Sequence, residues 1–356
     1  MQTAMRDFPQ SLTPVYPLYT MKGDGGLTVS VLALGGALQK IAISDENGQE
    51  RPLALGFPYP EPYESLVCYA GATLAPNAGR IRGGRLCLPG VEYALVPNDG
   101  PNQLHGGAHS LSPAVWEVER FTCGGDTASL VLRAAQPDGL DGWPGNRAYQ
   151  ARYTLSDDNR LTIEYEARTD RPTYFNLSNH TYWNLSGDFT RPALGQELTV
   201  EADRVCVNDE AHLPTALVPV EASAFAFRRG RSLRDALNSA RSPSERRQLA
   251  IARGLNHAYL LNGGPGLKRA CVLRDPDSGR QLELFTDAPG VVVYSGGFLP
   301  AGLELCGGQR SVPSCAVALE AQDLPDCSRL SPGAFRPTLP GEVWRRVIQY
   351  RFRLPR

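Results

Sequence analysis

The stretch Arg171-Pro-Thr-Tyr-Phe-Asn-Leu-Ser-Asn-His-Thr-Tyr-Trp-Asn-Leu-Ser-Gly187 alternates like a strand. Tyr174, Asn176, Ser178 and His180 fall on one side, and Phe175, Leu177 and Asn179 on the other. Buried polar groups must find partners or cost free energy, so the first face is expected to line a wet cavity that holds a polar ligand. The plainer reading is a solvent-facing edge with a satisfied histidine. A second stretch, Cys315-Ala-Val-Ala-Leu-Glu-Ala-Gln322, sets Ala316, Ala318, Glu320 and Gln322 on one face and Val317 and Leu319 on the other. Two alanines beside a glutamate leave volume in front of a carboxylate. A histidine and a glutamate on separate strands, each facing space, can act as an acid/base pair on a polyhydroxylated substrate. Leu104-His-Gly-Gly107 adds a third group, His105, beside glycines that let backbone approach a ligand closely.

The elements that must position these groups read as strands. Leu161, Ile163, Tyr165 and Ala167 alternate with Thr162, Glu164 and Glu166, and Ser156-Asp-Asp-Asn159 joins them to a strand over Tyr149 to Leu155 as a hairpin. Cys271 to Arg274 and Gln281 to Thr286 flank Asp275-Pro-Asp-Ser-Gly279 in the same way, and Ile348, Tyr350, Phe352 and Leu354 mark a closing, half-buried strand. One region reads as helix: Ser232 to Leu237 and Ser244 to Arg253, separated by a turn and N-cap at Ser242-Pro-Ser244. With no repeat, linker or low-complexity tract, the expectation is one all-β domain over residues 1–356 with a short helical excursion.

Composition narrows the function classes. The chain of 356 residues carries a formal net charge of −1. Its lysines are Lys22, Lys40 and Lys268 alone, and its arginines are scattered, so neither nucleic acid nor an anionic membrane is an expected partner. The eight cysteines show no CxxC or Cys/His ligand spacing, so no metal site is expected. Nor does a Gly-rich strand-to-helix fingerprint suggest a dinucleotide. Met1 to Met21 has no leader pattern and no stretch approaches a membrane span, so a reduced cytoplasmic protein without disulfides is expected.

Several segments together resemble the aldose 1-epimerase (galactose mutarotase) family. In family order they are Asn77-Ala-Gly-Arg-Ile81, Asn98 through Leu104-His-Gly-Gly107, Asp141-Gly-Trp-Pro-Gly145 and Asn179-His-Thr-Tyr-Trp-Asn-Leu185. Pro214-Thr215, Gly254-Leu-Asn-His257, Val293-Tyr-Ser-Gly-Gly-Phe298 and Leu319-Glu-Ala-Gln322 with Pro325-Asp326 follow. The resemblance implies a large antiparallel β-sandwich of the galactose mutarotase type with a sugar cleft on a concave face. It implies interconversion of the α and β anomers of free aldohexoses such as galactose or glucose, by a monomer or homodimer that needs no cofactor. Glu320 resembles the family's base and His180 its acid, and His105, Asn256, Arg80, Asn179, Trp183 and Gln322 fall at substrate-shell positions. A nearby carboxylate is expected to hold His180 protonated near neutral pH.

Two departures affect substrate rather than reaction class. Asn256 stands where the family has a sugar-binding aspartate. Pro76 and Gly79 stand where it has an arginine and an asparagine, which leaves Arg80 as the match. His257 is expected to support the loop bearing Asn256, and His109 and His212 to be exposed. Rival readings are a hexose-phosphate mutarotase using Arg80, Arg82 and Arg85, a non-catalytic carbohydrate-binding protein, and a glycosidase, which would need a second carboxyl opposite Glu320.

Overall fold

A computed structural model describes residues 1–8, 15–44, 49–330 and 335–354. Among them, alternating sequence and short Gly/Asp turns produce three main antiparallel sheets of five, nine and six strands. The nine-stranded sheet contains both predicted hairpins, Arg147–Ser156 with Arg160–Thr169 and Lys268–Arg274 with Gln281–Thr286. In the second of these, Asp275 accepts the Ser278 and Gly279 amides and closes the turn. Trp344–Arg353 lies between the two hairpins, bonded to Arg160–Thr169 on one side and Gln281–Thr286 on the other. The predicted closing strand is therefore central in its sheet.

The six-stranded sheet runs Tyr182–Trp183, Val317–Gln322, Gly290–Tyr294, Asn256–Leu261, Ala202–Asn208 and Pro214–Pro219 in spatial order. Its period-two alternation separates two environments. Val317, Leu319, Ala321, Val291, Val293 and Tyr259 face the main core, which they share with Leu130, Tyr153, Ile163, Leu284, Ile348 and Tyr350 of the nine-stranded sheet and Val29, Val31 and Ile41 of the five-stranded one. The opposite face carries Ala258, Val292, Tyr294, Glu320 and Gln322 and floors a pocket.

The helical excursion is present as Leu233–Asn238 and Pro243–Ala252. Ser242 caps the second helix by accepting the Glu245 amide, while the Glu245 carboxylate accepts the Ser242 amide, a complete capping box. A single helical turn at Glu61–Glu64, begun by two prolines, was not anticipated. Cys68, Cys87, Cys123, Cys206, Cys271, Cys306 and Cys315 are free thiols. Among the described residues no helix is long and apolar enough to cross a membrane.

Candidate active site

The pocket is a cavity of about 440 Å³ above the outer face of the six-stranded sheet, within the range of roughly 300–1,000 Å³ usual for small-molecule sites. Strand parity supplies its floor. Loops and short flanking elements supply its walls: Cys68 and Tyr69, Gly79 and Arg80, Asp99, Leu104 and His105, His212, and Phe298 and Pro300.

Glu320 enters from Val317–Gln322, and His180 from the turn between Ser178–Asn179 and Tyr182–Trp183. His180 Nε2 lies 3.6 Å from Glu320 Oε1, with both side chains almost wholly buried. That is an ion-pair distance, but burial governs the charges. It pushes Glu320 up to about 8 against a smaller downward pull from Arg80, and it pushes His180 down to about 4. The expectation of a protonated His180 is therefore corrected for the unliganded site, where desolvation outweighs the neighbouring carboxylate and both groups rest neutral at pH 7.

His105 has a left-handed backbone (φ 50°) and exchanges two hydrogen bonds with Gly79: its amide donates to the Gly79 carbonyl, and its Nδ1 accepts the Gly79 amide. The second bond fixes the tautomer, leaving the hydrogen on Nε2. Burial, then repulsion from His180 when that ring is protonated and from Arg80, hold His105 well below its ordinary pKa. The ligating atoms of His105, His180 and Glu320 lie within 4.8 Å of one another, a set of two nitrogens and one carboxylate that suits a divalent transition metal. The Gly79 amide on Nδ1 argues against that use, because a protonated Nε2 donates and does not ligate. The glycines after His105 serve packing instead of ligand approach. A Cβ at Gly106 would stand 2.6 Å from Pro76 Cδ, and one at Gly107 2.4 Å from Asp141 Oδ2.

Gln322 lines the pocket at 1% exposure, and neither its oxygen nor its nitrogen has a hydrogen-bond partner. Asn256 starts the strand Asn256–Leu261, and its backbone is held on both sides: its amide donates to His257 Nδ1 and its carbonyl accepts Asn208 Nδ2. Arg80 also lines the pocket, its Nε 2.7 Å from Asp99 Oδ2.

Two expected shell residues lie elsewhere. Trp183 is fully buried on the core face, its ring 4.8 Å from that of Tyr350. Asn179 is equally buried, donating to the Gly71 carbonyl and accepting from Thr181. Both have the strand parity opposite to His180. The polar face read at 174–180 also divides. Tyr174 donates to Asp323, Asn176 bonds Asn77, Ala78 and the Asp323 amide, and His180 alone of the four lines the pocket. The space expected beside Ala316 and Ala318 is filled by Tyr182 and Tyr294.

Sequence reasoning missed Tyr69, Tyr182, Tyr294, Phe298 and His212, all in the lining. His212, expected to be exposed, packs its ring 5.5 Å from that of Phe298. Parity counted from His180 would have found Tyr182. His109 is exposed and meets Asp141 at 2.9 Å.

Comparison with known proteins finds relatives along nearly the whole chain. The family model described as Aldose 1-epimerase matches residues 17–351. The aldose 1-epimerase of Escherichia coli K12 is 30% identical over 342 residues, which is 95% of each chain. The galactose mutarotase of Mus musculus is 32% identical over 92% of this chain and 91% of its own. Among solved structures, a galactose 1-epimerase from Lactobacillus acidophilus NCFM superposes with a TM-score of 0.84 at 30% identity, covering 100% of this chain and 99% of that one.

Proposed function

From the premise that this chain belongs to the aldose 1-epimerase family, whose members are epimerase/mutarotase enzymes acting on aldoses, we infer that it equilibrates the α and β anomers of free aldohexoses such as galactose and glucose in the pocket above the six-stranded sheet. The observation that carries this reading is the buried His180–Glu320 pair, 3.6 Å apart, facing a cavity. Anomer exchange needs one group that gives a proton and one that takes a proton. With pKa values of about 4 and about 8, this pair holds one proton between them across that whole interval.

In the proposed cycle, sugar hydroxyls donate hydrogen bonds to the Glu320 carboxylate and favour its charged form, with the proton on His180. Glu320 takes the proton from the anomeric hydroxyl. The C1–O5 bond breaks, its electron pair goes to O5, and O5 takes the proton from His180. Rotation about C1–C2 presents the other face of the aldehyde, and closure returns both protons. His105, with its Nε2 hydrogen fixed by Gly79, donates to the sugar near the ring oxygen. The amide of Gln322, lacking a protein partner, offers a donor and an acceptor to sugar hydroxyls. Arg80 and Asn256 bind further hydroxyls.

The phosphorylated-sugar reading is weaker because, of its three candidate arginines, Arg80 alone lines the pocket and all three are paired with carboxylates. Arg80 pairs with Asp99, Arg82 with Asp209 and Asp326, and Arg85 with Glu92. A glycosidase reading lacks its second free carboxyl, since Asp99, the other carboxylate in the lining, is in the Arg80 pair. The test is the optical rotation of freshly dissolved α-D-galactose and α-D-glucose. The protein is expected to speed the approach to equilibrium for at least one of them, and no acceleration with either sugar would sink the reading.

A further inference from the structure

Leu66, Cys68 and Tyr69 all have left-handed backbones, with φ of 54°, 50° and 54°. The conformation is costly for residues with a Cβ and persists only where surrounding structure over-determines it. Here the surroundings are His180 and His105. The Gly71 amide donates to the His180 carbonyl and the His180 amide to the Ala72 carbonyl, so the strained segment and the His180 backbone are laced together. The Tyr69 ring then lies 4.7 Å from the His105 ring, edge to face, and 6.3 Å from the His180 ring, nearly parallel to it. The Tyr182 ring lies 4.8 Å from that of His180, tilted against it.

We propose that Tyr69 is a positioning residue for the proton-transfer pair: its ring clamps His105 and His180 at their mutual angle and keeps water from the space between His180 and Glu320. The inference rests on the mutarotase reading for its kinetic arm only. Among the described residues, the ionisable groups around the pair are Cys68 and Tyr69 on the strained segment, Arg80, Asp99 and His212 in the pocket walls, His105 beside His180, Tyr182 and Tyr294 on the sheet, and Tyr350 in the core behind it. Among these, Arg80 is the full charge that acts on Glu320, and burial outweighs it.

The test compares the pH dependence of kcat/KM for the wild type, Y69A and Y69F. Y69A is expected to lose about tenfold or more in kcat through misplacement, with its alkaline limb lowered by about one pH unit or more as water reaches Glu320. Y69F, which restores the ring, is expected to return both. If Y69A does not fold, Y69L keeps the bulk and removes the ring. A raised KM with both limbs unmoved would overturn the proposal, making Tyr69 a wall of the pocket only. Independently of turnover, the His180 imidazole is followed by NMR titration in the same variants. An upward move of about one unit in Y69A supports the clamp, and an unmoved titration refutes it even if no aldose is turned over.

Discussion

Residues 174–184 and 315–322 both carry buried polar side chains, yet the asparagine amides of the first are satisfied and the Gln322 amide of the second is not. Asn176, Asn179 and Asn184 spend their amides on backbone and side-chain partners: Asn77, Ala78 and Asp323; Gly71 and Thr181; Asp188, Cys315 and Gln196. Gln322 has no protein partner for either amide atom, and Glu320 sits at a raised pKa because burial is not offset by donors. Polarity in a strand therefore does not mark a site. Unmet hydrogen-bonding capacity facing a cavity does, because the protein bears a desolvation cost that only a ligand relieves.

Removing the carboxyl should show this most strongly. E320Q is expected to lower mutarotation by on the order of 10²- to 10⁴-fold while stabilising the fold. The folded pKa of Glu320 is raised to about 8, so between about 4.5 and 8 the folded state keeps a proton that the unfolded state releases, and stability falls as pH rises. The advantage of E320Q in unfolding free energy should thus grow across that interval, by roughly 1.4 kcal/mol per pH unit at most. A destabilised E320Q would mean that Glu320 has partners after all.

The pH dependence of the wild type sharpens the same contrast. With His180 at about 4 and Glu320 at about 8, kcat/KM should fall about tenfold per unit below the first value and above the second. Solvated groups with ordinary values near ~4.3 and ~6.5 would instead confine activity to the narrow interval between them. Such a profile would show that water reaches the pair.

Asn176 and Gln322 should respond in opposite ways. N176A breaks satisfied bonds and is expected to cost about 1–3 kcal/mol of stability, with turnover per folded molecule changed less than tenfold. Q322M fills the same volume without orphaned atoms and should leave the melting temperature unchanged or raised, while KM rises roughly five- to tenfold, equivalent to ~1 kcal/mol of lost hydrogen bonding. Equal losses of stability would erase the distinction. The smallest effect is expected from N256D. A carboxylate there should lower KM a few-fold for one of galactose, glucose, xylose or arabinose, since charged hydrogen bonds contribute about 1.5–3 kcal/mol against about 1 for neutral ones. An unchanged KM for all four would remove Asn256 from sugar binding.

What the sequence made legible was parity and motif order. The two hairpins, the helical excursion and the convergence of His105, His180, Glu320, Gln322, Arg80 and Asn256 on one pocket all follow from alternation or from segments matching a family. Direction was harder. Alternation already put Asn179 opposite His180, and counting on puts Trp183 there too, but residue type and resemblance outweighed the count. Tyr69 was illegible for a different reason. Its position depends on left-handed backbone at residues other than glycine, which no propensity signals. Nor did the positive charge of His180 survive, because a sequence shows the neighbouring carboxylate and not the exclusion of water.

The central place of Trp344–Arg353 sets an order of assembly. Its two neighbours in the sheet, Arg160–Thr169 and Gln281–Thr286, cannot be joined until residue 353 has left the ribosome. Until then each presents an unpaired edge, the form of strand most prone to pair with the wrong chain. Ile348, Tyr350 and Phe352 are also missing from the core behind Trp183 during that interval. The segment that seals the layer beneath the pocket is thus made after both strands it joins, and a growing chain must be protected from its neighbours until that strand arrives.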